Sequence, residues 1–443
     1  MTPDAILDPM PRGFTRRKFL AGSAAAAATV GVAASTRFAF ASPETPTTGD
    51  VMVCIFFRGG ADGLSIVAPY MMPSYRALRP GIRVKSPDEF TDPTGKAGLP
   101  LVQGGNVAPF DLSGTFGLNP GMASLHAGAW SDGHLAVVHA AGMPATESDT
   151  RSHFDSMKNW EFGTSNMNYT TGFLNRYLAG QSGVDRLAAV GRGSNLQRSL
   201  GGAVAAYSMT SIDGFNVSGY SDNTRARNTL SSWYDAGTGD LLLQTGCDTI
   251  AALGTVAAID FDQPQFQPQN GAVYPDNGLA EDLKEVAQLI RANVGLRCVA
   301  VDFGGWDTHE NMGAPEDAGS YFRGHVGELA DALQAFYTDL GSLGDEVTTF
   351  TMSEFGRTIN ENGNGGTDHG RGSCMLVMGG RVKGGVYGDF VSSITDGPEG
   401  DLTVLNDYRR VISEILSVRG DATNLESVFP TYTQQSPLGL CLP

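Results

Sequence analysis

The sequence predicts an α/β fold, a three-layer α/β/α sandwich around a mostly parallel sheet. Continuous apolar runs of strand length recur along the chain, and amphipathic helical patterns lie between them. Glycine-bearing turns follow the runs where strands pass into loops.

Val51–Phe57 is apolar throughout and stops at Arg58-Gly59-Gly60, which reads as a strand buried on both faces. Comparable runs follow at Leu135–Ala141, Arg297–Phe303, Val347–Met352 and Cys374–Met378. Between them, Leu279, Leu283, Val286 and Ile290 keep a helical period. Phe322, Val326, Leu329, Leu333, Phe336 and Leu340 hold that period for longer, predicting a helix over 319–342. Tyr408, Val411, Ile412, Ile415 and Leu416 make a last amphipathic helix. The stretches 81–111, 192–224 and 257–275 are polar or Gly-rich and unpatterned, so they read as loop insertions in a single domain over 42–443. No internal repeat is visible.

The first 41 residues read as an address. Thr15-Arg16-Arg17-Lys18-Phe19-Leu20 places an arginine pair before two bulky apolar residues. An Ala-rich stretch from Ala21 to Ala34 follows, and Ala39-Phe40-Ala41 has the small-x-small form of a cleavage site. This is the pattern of a twin-arginine signal peptide, which implies the twin-arginine translocation machinery as a partner and a periplasmic or secreted destination. The apolar stretch is short and weakly hydrophobic for a membrane anchor, and no later segment offers about 18 consecutive apolar residues.

Formal charge is −17, and the leader holds five Lys/Arg against two Asp/Glu, leaving the remainder at −20. Such a surface argues against nucleic acid and anionic membrane as partners, and repels anionic substrates unless a bound cation inverts the local field. The five cysteines, Cys54, Cys247, Cys298, Cys374 and Cys441, are scattered without a C-x-x-C pair and imply no disulfide framework.

In sheets of this kind functional groups collect past the carboxyl ends of the strands. Four polar clusters stand in such places. Arg58-Gly59-Gly60-Ala61-Asp62 follows the first strand, with glycines that allow a sharp turn and an outward Asp62; the plainer reading makes Asp62 a helix cap. Thr150-Arg151-Ser152-His153-Phe154-Asp155 opens a short helix. Ser152 and Asp155 there have near-capping-box spacing, yet a hydroxyl at a helix N-terminus also suits a nucleophile attacking an anionic ester. Gly304-Gly305-Trp306-Asp307-Thr308-His309 follows the third run and offers one oxygen and one nitrogen ligand, or a hydrogen-bonded turn. The last cluster has two parts, Ser353-Glu354-Phe355-Gly356-Arg357 and Thr367-Asp368-His369-Gly370, with Asp368 and His369 as a ligand pair. Of seven histidines, His153, His309 and His369 fall in these clusters. Arg58 and Arg357 are placed to neutralise developing charge.

The motifs Arg58-Gly59-Gly60-Ala61-Asp62-Gly63-Leu64, Ser152-His153-Phe154, Gly304-Gly305-Trp306-Asp307-Thr308-His309, Glu354-Phe355-Gly356-Arg357-Thr358, Asp368-His369-Gly370 and Asp407-Tyr408-Arg409 together resemble the DUF1501 family, uncharacterised proteins that usually bear a twin-arginine signal. That family is grouped with the alkaline phosphatase and sulfatase superfamily, an α/β/α sandwich around a two-metal site. The resemblance implies metal ligation by Asp62, Asp307, His309, Glu354, Asp368 and His369, and a nucleophile at Ser152 or Thr150. The cofactor implied is a divalent cation (Zn²⁺, Mn²⁺, Mg²⁺ or Ca²⁺). The activity implied is hydrolysis or transfer of a phosphate or sulfate ester.

Two departures open a second expectation. Asp307 and His309 are two residues apart where the superfamily uses four, and Phe355 stands where it has a histidine ligand. One imidazole is therefore missing. An exported, non-enzymatic protein that keeps the fold and binds a glycan or a partner fits that loss. For the leader, the expected mature N-terminus is Ser42, and Arg16→Lys/Arg17→Lys should abolish export. N-terminal sequencing of the exported chain and a fractionation assay check both.

Overall fold

Val51–Phe57 becomes a central strand because every side chain along it finds an apolar partner on one face or the other. The structure, a computed structural model, describes residues 50–102, 114–217, 219, 222–234, 241–391, 393–394 and 400–443. The leader over 1–41 and residues 103–111 of the first predicted insertion lie outside that set.

The strands of the main sheet are β1 (Val51–Phe57), β2 (Leu135–Gly142), β3 (Ala189–Arg192), β4 (Tyr207–Met209), β5 (Cys298–Phe303), β6 (Val347–Ser353), β7 (Ser373–Met378), β8 (Gly385–Tyr387) and β9 (Asn406–Asp407). Their order is β8-β2-β7-β6-β1-β5-β3-β4, with β9 pairing β2. Every pairing is parallel except those of β7, which runs against both β6 and β2. The reversal of β7 has a consequence for the site. Its first residue lies at the edge of the sheet where β1, β5 and β6 end, so the segment leading into it meets their carboxyl-terminal loops.

The main helices are α1 (His153–Phe162), α2 (Phe173–Ala179), α3 (Asn223–Tyr234), α4 (Leu241–Ala257), α5 (Gly278–Arg291), α6 (Tyr321–Leu340) and α7 (Tyr408–Val418). Side-chain caps fix several starts, Asp222 accepting from the Arg225 N–H ahead of α3. Asn277 accepts from the Ala280 N–H, Ser320 from Arg323 and Asp407 from Arg409. Along β1, Val53, Ile55 and Phe57 enter the core shared with α5 and α6, while Met52, Cys54 and Phe56 enter the one shared with α2 and α7. Two apolar layers of helices on a largely parallel sheet make the three-layer arrangement the sequence predicts. No helix among the described residues is long and apolar enough to cross a membrane.

The five predicted strands lie where the apolar runs put them. The region 192–224, taken as loop, instead carries β4, a short strand paired in parallel to β3. All five cysteines are unpaired.

One core histidine illustrates how burial sets charge. His139, on β2, is fully enclosed between Phe116, stacked at 5.1 Å, and Phe390, edge-on at 4.7 Å. Its Nε2–H donates to the Val67 carbonyl at 2.7 Å, and its Nδ1 accepts from the Ala140 N–H at 2.8 Å. Both ring nitrogens are thus satisfied only in the neutral form. Burial pushes the pKa down from 6.5 to about 4. The unfolded chain takes up this proton near pH 6.5 while the folded one does not, so the contribution is complete above pH 6.5 and is lost as pH falls toward 4. The loss amounts to about 3 kcal/mol. Denaturant unfolding across this range should show that slope in the natural protein, and His139→Gln should flatten it.

Candidate metal centre

The loops that leave β1, β5 and β6, the N-terminus of α1 and the segment entering β7 meet at one edge of the sheet. Their approach is close enough to need glycine. At Gly59, with φ +122°, an added Cβ would lie 2.5 Å from the backbone nitrogen of Asp307. Trp306, fully buried against Phe57, Phe322 and His325, anchors the β5 loop from below. Asp307 is left half-exposed above it.

Asp307 Oδ1 is the meeting point. The Nε2 atoms of His309, His369 and His153 lie 3.0, 3.4 and 3.7 Å from it. His309 Nε2 and His369 Nε2 are 3.0 Å apart, and ligand atoms of His153, Asp307 and His369 all lie within 4.8 Å of one another.

The opposite nitrogen of each ring is occupied. His153 Nδ1 faces Glu354 Oε1 at 3.0 Å, His309 Nδ1 faces Asp368 Oδ1 at 3.1 Å, and His369 Nδ1 faces the Arg151 carbonyl at 3.0 Å. A carbonyl or an ionised carboxylate only accepts, so each Nδ1 carries the ring proton and donates. A neutral ring so protonated on Nδ1 aims its Nε2 lone pair inward. Lone pairs on His309 and His369 at 3.0 Å repel unless a cation or a proton lies between them.

Charge reinforces this. Burial, joined by the charge of Arg357, holds His369 below the ordinary imidazole value. Burial alone would raise Asp307, but the bond and charge of Arg357 outweigh it and keep this carboxyl below its usual range. The hydrogen bond from His309 does the same for Asp368.

The side chains behind the ring nitrogens are themselves fixed. Glu354 is buried, and its Oε1 also accepts the Gly59 N–H at 2.6 Å. Asp368 also accepts from Asn362 Nδ2 at 3.2 Å. Phe355 packs on His153 at 4.9 Å and on His369 at 4.6 Å. Placed by the sequence where a ligand was expected, Phe355 serves as an apolar wall that orients two imidazoles.

Of the residues picked out by sequence, Asp307, His309, Glu354, Asp368 and His369 are brought together. Asp62 is not among them. Its carboxylate is buried and gripped by Arg79, at 2.5 Å from Nη1 and 3.0 Å from Nη2, with a third bond from Ser65. Its hydrogen-bond partners are Arg79 and Ser65, neither of which belongs to the cluster. Arg58 is likewise engaged elsewhere, bonded to Glu161 at 3.0 and 3.1 Å and to Asp302 at 2.8 Å. Arg357 bonds Asp307 but is wholly buried. Ser152 is the exposed N-cap of α1, immediately before His153, and its side chain makes no capping bond, contrary to the capping-box reading.

His153 is the residue sequence reasoning left unassigned. The signal was present, since it sits in the Ser152-His153-Phe154 motif one position from the candidate nucleophile. It brings a third imidazole to Asp307.

The fold and this edge define an α/β protein with a cluster of three histidines and one carboxylate at the strand ends. Residues 284–400 match the model of a family described as a protein of unknown function, DUF1501. That span carries β5 to β8 and Asp307, His309, Glu354, Arg357, Asp368 and His369, while β1 and His153 precede it. No curated protein matches the sequence.

The Asp62–Arg79 pair generates a test that separates stability from the cleft. Removing one partner of a buried ion pair costs roughly 3–5 kcal/mol. Asp62→Ala should lower stability by that order in denaturant unfolding and leave the affinity for Zn²⁺ unchanged in calorimetric titration.

Proposed function

We propose that His153, His309, His369 and Asp307 hold a divalent cation, and that the protein is an exported hydrolase or transferase of phosphate or sulfate esters. The observation that carries the reading is the set of three Nε2 atoms converging on Asp307 Oδ1 while all three Nδ1 atoms are occupied by acceptors. Imidazoles backed by carboxylates or a carbonyl are what a metal site requires of its outer layer. Three nitrogens and one carboxylate oxygen suit Zn²⁺ better than Mg²⁺ or Ca²⁺, which prefer all-oxygen sites.

When bound, such a cation polarises an ester oxygen and lowers the pKa of a nearby hydroxyl or water. The chain's own part is orientation. Phe355 and the three Nδ1 bonds hold the rings. Ser152 presents a hydroxyl unengaged in capping, beside the N–H groups of the first turn of α1, where an anionic ester is favoured. Arg58 and Arg357 do not serve as substrate-binding groups, because both guanidiniums are occupied by protein oxygens. With a strongly acidic surface, the cation is what makes the cleft attractive to an anion. The resemblance to the alkaline phosphatase and sulfatase superfamily supports the ester class, and the twin-arginine leader supports a periplasmic or secreted location. The rival reading, a retained fold with a degenerate site, drew on a missing imidazole that His153 supplies.

Chelator should lower the melting temperature of the leader-free protein, and Zn²⁺ should restore it. A cation at a hundred times its dissociation constant contributes about 2.7 kcal/mol. His153→Ala and His369→Ala should each abolish the response. Ser152→Ala should keep it while losing hydrolysis of an aryl phosphate or sulfate. Thermal stability indifferent to chelator would overturn the reading.

A further inference from the structure

Arg151 meets His369 twice. Its main-chain carbonyl accepts the His369 Nδ1–H at 3.0 Å, and its Nη1 donates to the His369 carbonyl at 3.0 Å. Among the described residues no other donor reaches that carbonyl. The guanidinium is held in turn by Asp401, a buried carboxylate whose Oδ1 takes Nη1 at 3.3 Å. Asp401 Oδ2 takes Arg371 Nη1 at 2.7 Å, and Arg371 also bonds Asp149. Charges of alternating sign therefore run from Asp149 through Arg371 and Asp401 to Arg151. The chain around His369 is fastened separately on its other side. The Thr358 N–H donates to the Asp368 carbonyl and the Gly370 N–H to the Gly356 carbonyl, both at 2.9 Å. Those two bonds leave the His369 carbonyl and ring to be fixed, and Arg151 bonds both.

We propose that Arg151 is the positioning residue of the histidine cluster, setting where His369 Nε2 stands and tying Ser152 to the same imidazole. This inference rests on the reading of the cluster as a metal site. His369 Nε2 lies 3.4 Å from Asp307 Oδ1 and 3.0 Å from His309 Nε2. Ligand distances in metal sites hold within about 0.2 Å, so a small slide of the His369 backbone is enough to spoil the set. A bond at Nδ1 alone fixes the tautomer but lets the ring travel with its backbone. The second bond, to the carbonyl, stops that travel. Arg151 also directly precedes Ser152 and His153, so its position bears on two imidazoles and on the hydroxyl. It acts through His369 and is not itself a ligand. Its ion pair contributes little to folding, since the Arg151 side chain is 29% exposed and Asp401 keeps Arg371 when Arg151 is truncated.

The test titrates the chelator-stripped, leader-free protein with Zn²⁺ by calorimetry and with Co²⁺ by visible absorption. Natural protein that binds neither ion would overturn the histidine site, and this inference with it. Where it binds them, Arg151→Ala should weaken Zn²⁺ affinity about 10- to 100-fold, as outer-layer changes do, and alter the absorption of bound Co²⁺ at saturation. Its melting temperature in chelator should stay near that of the natural protein. Arg151→Lys, which keeps a donor, should recover part of the affinity. Arg371→Ala breaks the far end of the charge chain but spares both bonds to His369, so it should weaken Zn²⁺ less than Arg151→Ala does. An Arg151→Ala protein with natural Zn²⁺ affinity and Co²⁺ spectrum would overturn the positioning role and leave the histidine site standing. If Arg151→Ala does not fold, Arg151→Met, which keeps the apolar stem, is read in the same way. Failure of both to fold would make Arg151 a structural residue and overturn the inference.

Discussion

The hydrogen bonds of Arg357 tie the loops at this edge of the sheet into one body. The β1 loop contributes the Gly59 and Gly60 carbonyls, the β5 loop the Trp306 carbonyl and the Asp307 carboxylate, and the segment before β7 the Thr367 carbonyl. The Gly59, Gly60 and Trp306 carbonyls lie just past strand ends, where the sheet ladder no longer satisfies them, and a buried carbonyl without a donor is costly. The guanidinium answers four of them with one planar group. Loops that leave separate strands are thereby held at distances that bring His309 and His369 to the same carboxylate oxygen. A lysine at this position has three donors on one atom and lacks the fork that reaches all these directions.

The same economy recurs in the body of the fold. Arg79 holds Asp62 and also donates to the carbonyls of Thr358 and Ile359, joining the region after β1 to the chain after β6. Arg419, past the end of α7, grips Asp50 ahead of β1 through two bonds and donates to the Asp345 carbonyl. In each case a buried arginine satisfies one carboxylate and one or more stranded carbonyls together. These pairs carry no positive charge to the surface, which stays strongly acidic.

The apolar layers were legible because they obey simple periods. Continuous runs marked β1, β2, β5, β6 and β7, and the helical spacing marked α5, α6 and α7. The shorter strands β3 and β4 were missed because three or four residues are too few to show a pattern; their pairing with β5 and with each other makes them strands. In the cleft, sequence could find groups but not assign their partners. Asp62 looked like a ligand because nothing in its own segment shows that Arg79 claims it. Glu354 and Asp368 read as ligands, yet their Oε1 and Oδ1 atoms face the Nδ1 atoms of histidines. His153 was left without a role because the cap and nucleophile readings both went to Ser152 beside it, and only the fold shows Glu354 behind its Nδ1 and Asp307 facing its Nε2. Residue type shows what a side chain is able to bind, and tertiary contact decides which neighbour it binds.

That distinction bears on Phe355 and His153. An imidazole on the first turn of α1 ties the histidine cluster to that helix's N-terminus, so that Ser152 and the first-turn N–H groups are positioned by the same backbone that presents His153. Phe355 is the surface on which His153 and His369 are packed. The contact that orients these rings thus bears on the backbone that carries Ser152, and a change at position 355 acts on the rings and on the start of α1 together.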